Sequence, residues 1–194
     1  MKHIFFLFFA AAVLNNFVLT KFLGICPFLG ISKRRDSAIS MTVAVTFVMV
    51  MASIATWLIY HFLLVRFELE FLQIVAFILV IGTLVQFIET VMRKYAESMY
   101  EAFGIYLPLI TTNCAILGVT LINIIDEHKF VDMIVYSFGA GMGFGIAIVI
   151  MSGIRERLEY ANIPEPLREV PIALITAGIL AMAFQGFAGT VSLV

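Results

Sequence analysis

Long apolar runs separated by brief charged clusters make up almost the whole chain. Residues 38–65, 71–88, 102–125, 133–154 and 170–194 contain no Asp, Glu, Lys or Arg, and residues 4–32 contain one, Lys21. A helix needs about 20 apolar residues to cross a bilayer, whereas a membrane β-strand needs about 9–11 residues of alternating character. No run here alternates, and helices then satisfy their own backbone in lipid where nothing else would. The pattern predicts an all-α integral membrane protein with six transmembrane helices near 4–31, 38–60, 71–92, 102–123, 131–153 and 170–191. The loops between them are short, which predicts a single membrane domain over residues 1–194.

Composition narrows the class further. The 194 residues are 62% hydrophobic and 13% charged, with 19 Phe and a mean hydropathy of +1.08. Soluble domains carry about 25% charged residues, so an ordinary soluble enzyme and a disordered chain are both excluded. A net charge of −1 leaves no basic excess for nucleic acid. The opening Met1-Lys2-His3 followed by an apolar run has the look of a signal peptide. No small-x-small cleavage site leads into a polar region, so the segment is expected to remain as a helix.

Lysine and arginine counts orient the spans. The loops after helices 1, 3 and 5 share one side and hold Lys33, Arg34, Arg35, Arg93, Lys94, Arg155, Arg157 and Arg168. The other side holds Lys2, Arg66 and Lys129. The richer side is expected in the cytoplasm, with both termini outside.

A repeat is visible at the only two cysteines. Cys26-Pro27-Phe28-Leu29-Gly30 and Cys114-Ala115-Ile116-Leu117-Gly118 share Cys-x-x-Leu-Gly, 88 residues apart. Three helices per half is an odd number, so the halves, about 1–95 and 102–194, would enter the membrane from opposite faces. This is a 3+3 inverted-topology repeat, which would bring both cysteine segments near the midplane. Both segments also read as discontinuous helices. A straight helix over 4–32 would be ~43 Å long against a ~30 Å hydrocarbon core. Pro27 disfavours helical geometry at Cys26, and Lys21 is costly if it faces lipid. In the fourth segment Gly104, Pro108, Thr111, Thr112, Asn113 and Gly118 cluster around Cys114. Continuous but kinked helices, with Thr and Asn bonding between helices, are the other reading.

Buried free thiols, a disulfide and a metal or iron–sulfur site all remain open for the cysteines. Free thiols pack as small hydrophobes, and a disulfide does not suit an apolar core. Thiolates select zinc, Cu(I) or iron–sulfur clusters. An all-cysteine cluster takes four ligands, so a second chain would have to supply two. Elsewhere, Gly139, Gly141, Gly143 and Gly145 form two interleaved G-x-x-x-G pairs suited to close helix packing. His3, His61 and His128 map to the outer helix ends, Glu89 to an inner end and Asp132 to an outer one, so no carboxylate lies at mid-depth. Arg155-Glu156-Arg157 reads as a charged helix exit. Asn15 and Asn16 either bond between helices or line a polar path.

The residues from Asn15 to Gly30 (N-N-F-V-L-T-K-F-L-G-I-C-P-F-L-G) resemble the first segment of the A-type membrane subunit of the Rnf-type ion-translocating oxidoreductases. Those from Leu107 to Ala115 (L-P-L-I-T-T-N-C-A) resemble its fourth segment, and Gly153 to Arg157 and Ala173 to Gly178 match as well. The likeness covers essentially the whole chain. The corresponding subunit of the sodium-pumping NADH:quinone oxidoreductase is similar too, and Asn15, Asn16 and Lys21 favour the Rnf type. The resemblance implies a membrane subunit of an ion-translocating ferredoxin:NAD oxidoreductase, with Na+ or H+ as coupling ion. It implies pairing with the paralogous E-type membrane subunit, and one [2Fe–2S] cluster shared by the pair, with Cys26 and Cys114 as this chain's ligands. Flavins, NAD and further iron–sulfur clusters would sit on other subunits, leaving no complete active site on this chain. It also implies the cytoplasmic (inner) membrane of a bacterium or archaeon. A small inverted-repeat transporter with structural cysteines is the competing reading.

The orientation is checked by cysteines placed at Ser37 and Ser98 in a thiol-free background. Both should resist membrane-impermeant labels added to sealed cells. Ready labelling of both from outside reverses the topology.

Overall fold

The structure is a computed structural model that describes residues 2–14, 16–32, 35–67, 70–95 and 107–191. Asn15, Lys33, Arg34, Ser98 and Gly104 lie outside the described residues, as do the side chains of Lys2, His3, Arg93 and Pro108. Every regular element among the described residues is helical. Helix α1 (Lys2–Phe9) runs into a π-helical turn at Ala10–Leu14, and α2 (Phe17–Thr20) and α3 (Ile25–Ile31) follow as separate pieces. Helix α4 (Arg35–Ile59) continues through a second π turn, Tyr60–Leu64, into α5 (Val65–Phe67). Then come α6 (Gln73–Tyr95), α7 (Leu107–Thr111), α8 (Cys114–Ile125), α9 (Phe130–Leu158) and α10 (Val170–Val191). Among the described residues three stretches, Ser37–Phe67, Gln73–Val91 and Phe130–Leu158, are long and apolar enough to cross a membrane. Ile4–Leu14, Leu109–Ile125 and Val170–Gly186 are shorter apolar helices.

The core is built on the α4–α9 pair, the most extensive helix contact among the described residues. Met41, Val45, Val48, Met49 and Ala52 of α4 are buried, and so are Ala140, Phe144, Ala147, Ile148 and Met151 of α9. Both sets follow the same helical stripe, i, i+4, i+7, i+8 and i+11. The outer face of α4 stays apolar and exposed at Val43, Phe47 and Met51, which suits lipid rather than water. The short segments α2, α3 and α8 bury Phe17, Phe28, Ala115, Ile116 and Val119 into the same core.

The glycine ladder explains how α9 approaches two neighbours at once. A Cβ at Gly139 would sit 3.0 Å from the carbonyl oxygen of Phe8, and one at Gly143 2.5 Å from that of Ala12. A Cβ at Gly141 would meet Thr46 at 2.6 Å, and one at Gly145 would collide with the Thr42 methyl. One G-x-x-x-G pair therefore receives the first segment and the other receives α4, which is the packing role expected of them.

The break in the first segment falls elsewhere than expected. Cys26 and Pro27 are both helical, inside α3. Pro27 occupies the first turn, where its missing N–H leaves no intrahelical bond unmade. The chain turns instead at 21–24, where Phe22 has φ +55 and Gly24 φ +83. Gly24 supplies a left-handed conformation without penalty and Phe22 does so at a cost.

Replacing Gly143 or Gly141 with Leu should force α9 off its neighbours, at a cost of ~1–3 kcal/mol or more. The yield of monodisperse detergent-purified protein and its unfolding midpoint should both fall. Leu at Gly153, where a Cβ meets nothing within 4 Å, should leave both unchanged.

Candidate functional site

Each cysteine lies in the first turn of a short helix that follows a break, capped by a side chain at α8 and entered through Gly24 without one at α3. Asn113 caps α8: its side-chain oxygen accepts from the N–H of Ala115 at 3.0 Å. Cys114 is the first residue of that helix and Cys26 the second residue of α3. Asn16 caps the earlier break. Its Oδ1 accepts from Val18 and Leu19 N–H at 3.1 and 3.4 Å, and its Nδ2 donates to the Gly143 carbonyl at 2.7 Å. Such a cap is worth ~1 kcal/mol in water, and the freed donors have no water partner in lipid. Asn16 is completely buried, and of its two sequence readings the structure supports bonding between helices.

The two cysteine-bearing pieces meet where they begin. A Cβ on Gly24 would lie 3.1 Å from Asn113 Oδ1 and 3.2 Å from the Ala115 methyl group. The motif glycines pack reciprocally, Gly30 beside Leu109 and Gly118 beside Leu23. The fold thus brings together two segments 88 residues apart in sequence. Both thiols are free and exposed at the surface of the chain. Lys21 and Phe22, at the turn between α2 and α3, are exposed as well, and the Lys21 ammonium lies 5.3 Å from the Phe17 ring centroid. The side-chain nitrogen of Asn113 is buried without a hydrogen-bond partner. Its oxygen is committed to the Ala115 N–H, so the amide orientation is set and a donor is left over.

Arg155 turns out to be more than a charged helix exit. Its guanidinium reaches back to α3, donating to the Leu29 carbonyl at 2.6 Å and to Ser32 Oγ at 2.9 Å. Ser32 is fully buried. Next to it, Glu156 pairs with Arg35 at 2.5 Å, on the first residue of α4. The C-terminal end of α9 therefore holds both sides of the loop that leaves the Cys26 helix. Sequence reasoning missed this, because the 126-residue separation between Arg155 and Leu29 carries no local signal.

Among the described residues no three His, Cys, Asp or Glu side chains gather closely enough to hold a metal ion. His61 and His128 instead line a cleft between the far end of α4 and the α8–α9 turn.

The model of a family described as "Rnf-Nqr subunit, membrane protein" matches residues 4–191. The chain belongs to the Rnf-Nqr family of membrane subunits. It is 50% identical over 191 residues to the A-type subunit of the ion-translocating oxidoreductase complex of Syntrophotalea carbinolica, covering 98% of this chain and 99% of the relative. It is 53% identical over 184 residues to the A-type subunit of the Na(+)-translocating ferredoxin:NAD(+) oxidoreductase complex of Acetobacterium woodii, covering 95% and 96%. The A-type subunit of the Proteus mirabilis ion-translocating oxidoreductase complex is 52% identical over 187 residues, 96% of this chain and 97% of that one. Family membership agrees with the resemblance carried by the Asn15–Gly30 and Leu107–Ala115 segments.

Arg155→Ala removes two bonds from a charged donor, and such bonds are worth ~1.5–3 kcal/mol each. Amide hydrogen exchange over residues 25–35 should rise by at least ~10-fold, and Arg155→Lys should fall between. Unchanged exchange would show that α3 is held without this clamp.

Proposed function

We propose that this chain is a membrane subunit of an ion-translocating ferredoxin:NAD oxidoreductase, and that Cys26 and Cys114 supply half the ligands of a [2Fe–2S] cluster shared with the paralogous E-type subunit. The observation that carries this reading is the contact between the two cysteine-bearing segments, with both thiols free at the chain's surface. The donor set fits such a cluster. Two soft thiolates are half of a four-thiolate site, and no third ligand stands near them among the described residues. The unpartnered Asn113 nitrogen beside Cys114 is a donor suited to a sulfur acceptor. Bound there, the cluster would take up and release one electron at a time.

The chain's own residues hold that face in place. Asn16 and Asn113 cap the breaks, Gly24 lets the pieces approach, and Arg155 anchors the end of α3. Lys21 and Phe22 are exposed in a run that holds no other charge between residues 4 and 32. A charge there facing lipid is expensive, which argues that a second subunit covers this side.

The six-span architecture belongs to the same proposal, with repeats of about 1–95 and 102–194 in opposite orientation and both termini outside the inner membrane. The contact pattern supports it. Exchanging the first three spans for the last three maps the α4–α9 pair onto itself. It also maps α6 against α7 and α8 onto α10 against α2 and α3. A self-consistent exchange is what a pseudo-two-fold axis requires. Electron relay would then be coupled to Na+ or H+ movement, with flavins and NAD on other subunits.

Expressed alone, the chain should be colourless. Co-produced with its paralogue it should gain two irons and two acid-labile sulfides per pair. In the whole complex, Cys26→Ser and Cys114→Ser should each abolish or shift one [2Fe–2S] paramagnetic resonance signal and stop ferredoxin-to-NAD electron transfer, while flavin content persists. Serine is a harder and far less acidic ligand of the same size, so the pair tests ligation above packing. A normal signal and normal transfer in the double variant would return both residues to structural thiols and favour the transporter reading.

A further inference from the structure

A cleft of about 540 Å³ opens between the far end of α4 and the α8–α9 turn, on the side expected to face outward. Trp57, His61, Asn123, Glu127, His128 and Lys129 are among its lining residues. Its walls are aromatic. Trp57 stacks on His61 with ring centroids 4.3 Å apart, and His128 lies 5.0 Å from Tyr136. Asn123 is only 2% exposed, and two further buried polar groups stand behind it, Ser53 of α4 and Ser137 of α9. Asn123 Nδ2 donates to Ser137 Oγ at 2.9 Å and to Ser53 Oγ at 3.4 Å, and Ser137 Oγ donates to Ser53 Oγ at 2.8 Å. Both amide hydrogens are thereby used, which fixes the amide's orientation. The side-chain oxygen is left buried with no donor.

A carbonyl oxygen in that position calls for a donor or a cation. Three neutral oxygens from three helices are hard donors that suit a small hard cation. No carboxylate stands among them, which matches a single positive charge better than two. Asn123 lies in the last turn of α8, where the helix end is partially negative, and Asp126 and Glu127 follow directly. Lys129 at the rim and the unpartnered Nδ1 of His128 are the competing groups. We propose that Asn123, Ser53 and Ser137 form a binding site for a small monovalent cation, reached through this cleft. What the bound ion does rests on the ion-translocating reading above, whereas its binding does not.

The test uses the intact purified complex, with NaCl compared against choline chloride at equal ionic strength. Ligand binding to the folded state raises the unfolding midpoint in a saturable way. NaCl should do so, and should also stimulate ferredoxin:NAD electron transfer. Ser137→Ala and Asn123→Ala should each raise the Na+ concentration for half-effect at least tenfold, with the cluster's resonance signal unchanged. Should Asn123→Ala fail to assemble, Ser53→Ala carries the same readout beside Ser137→Ala. Equal behaviour in the two salts, or an unshifted Na+ dependence in the variants, overturns the site and leaves a water-filled cleft. Absence of a cluster signal in the wild-type complex would overturn the proposed function instead, and the Na+ titration would still stand.

Discussion

Every backbone group freed by a helix break in an apolar medium must find a partner inside the protein, and this requirement shapes the whole chain. Two of the breaks, one before α2 and one before α8, are each capped by an asparagine, and the third, before α3, turns through Gly24. Asn16 does more than cap. By donating to the Gly143 carbonyl it ties the first break to the centre of α9. That bond needs α9 to come within reach, and the glycine at 143 permits it, because a Cβ would fall against the Ala12 carbonyl. Cap, glycine ladder and broken segment therefore depend on one another.

The cysteines sit where that arrangement delivers them. Gly24 turns the chain through a left-handed conformation and lies against Asn113 and Ala115, so α3 and α8 begin beside each other. Arg155 closes the far end of α3. The result is a packed frame with both thiols exposed and an unused buried amide donor on the residue before Cys114. A buried amide without a partner costs ~1–3 kcal/mol, a cost that a sulfur acceptor would offset.

The long helices were legible because the charge-free runs are long: α4, α6 and α9 fall where the pattern put them. The glycine ladder was legible because its spacing is helical and its only use in such a helix is close approach. Pro27 misled about the site of the break, since proline stops a helix from within but is tolerated in the first turn. Gly24, four residues after Thr20, held the better signal. Arg155 and the Asn123–Ser53–Ser137 cluster were invisible for a different reason. Apart from Ser137, 14 residues from Asn123, their partners lie 70 to 126 residues away, and nothing local marks an arginine that turns inward or an asparagine that gathers two serines.

The central claim is that the exposed surface where α3 and α8 meet is shared with another chain. A density map of the assembled complex, with iron located by its anomalous scattering, tests this most directly. The account predicts two irons at this face, bonded to Cys26 and Cys114 on one side and to two thiolates of a neighbouring subunit on the other. Lipid against both cysteines, with no iron between this chain and its neighbour, would contradict it.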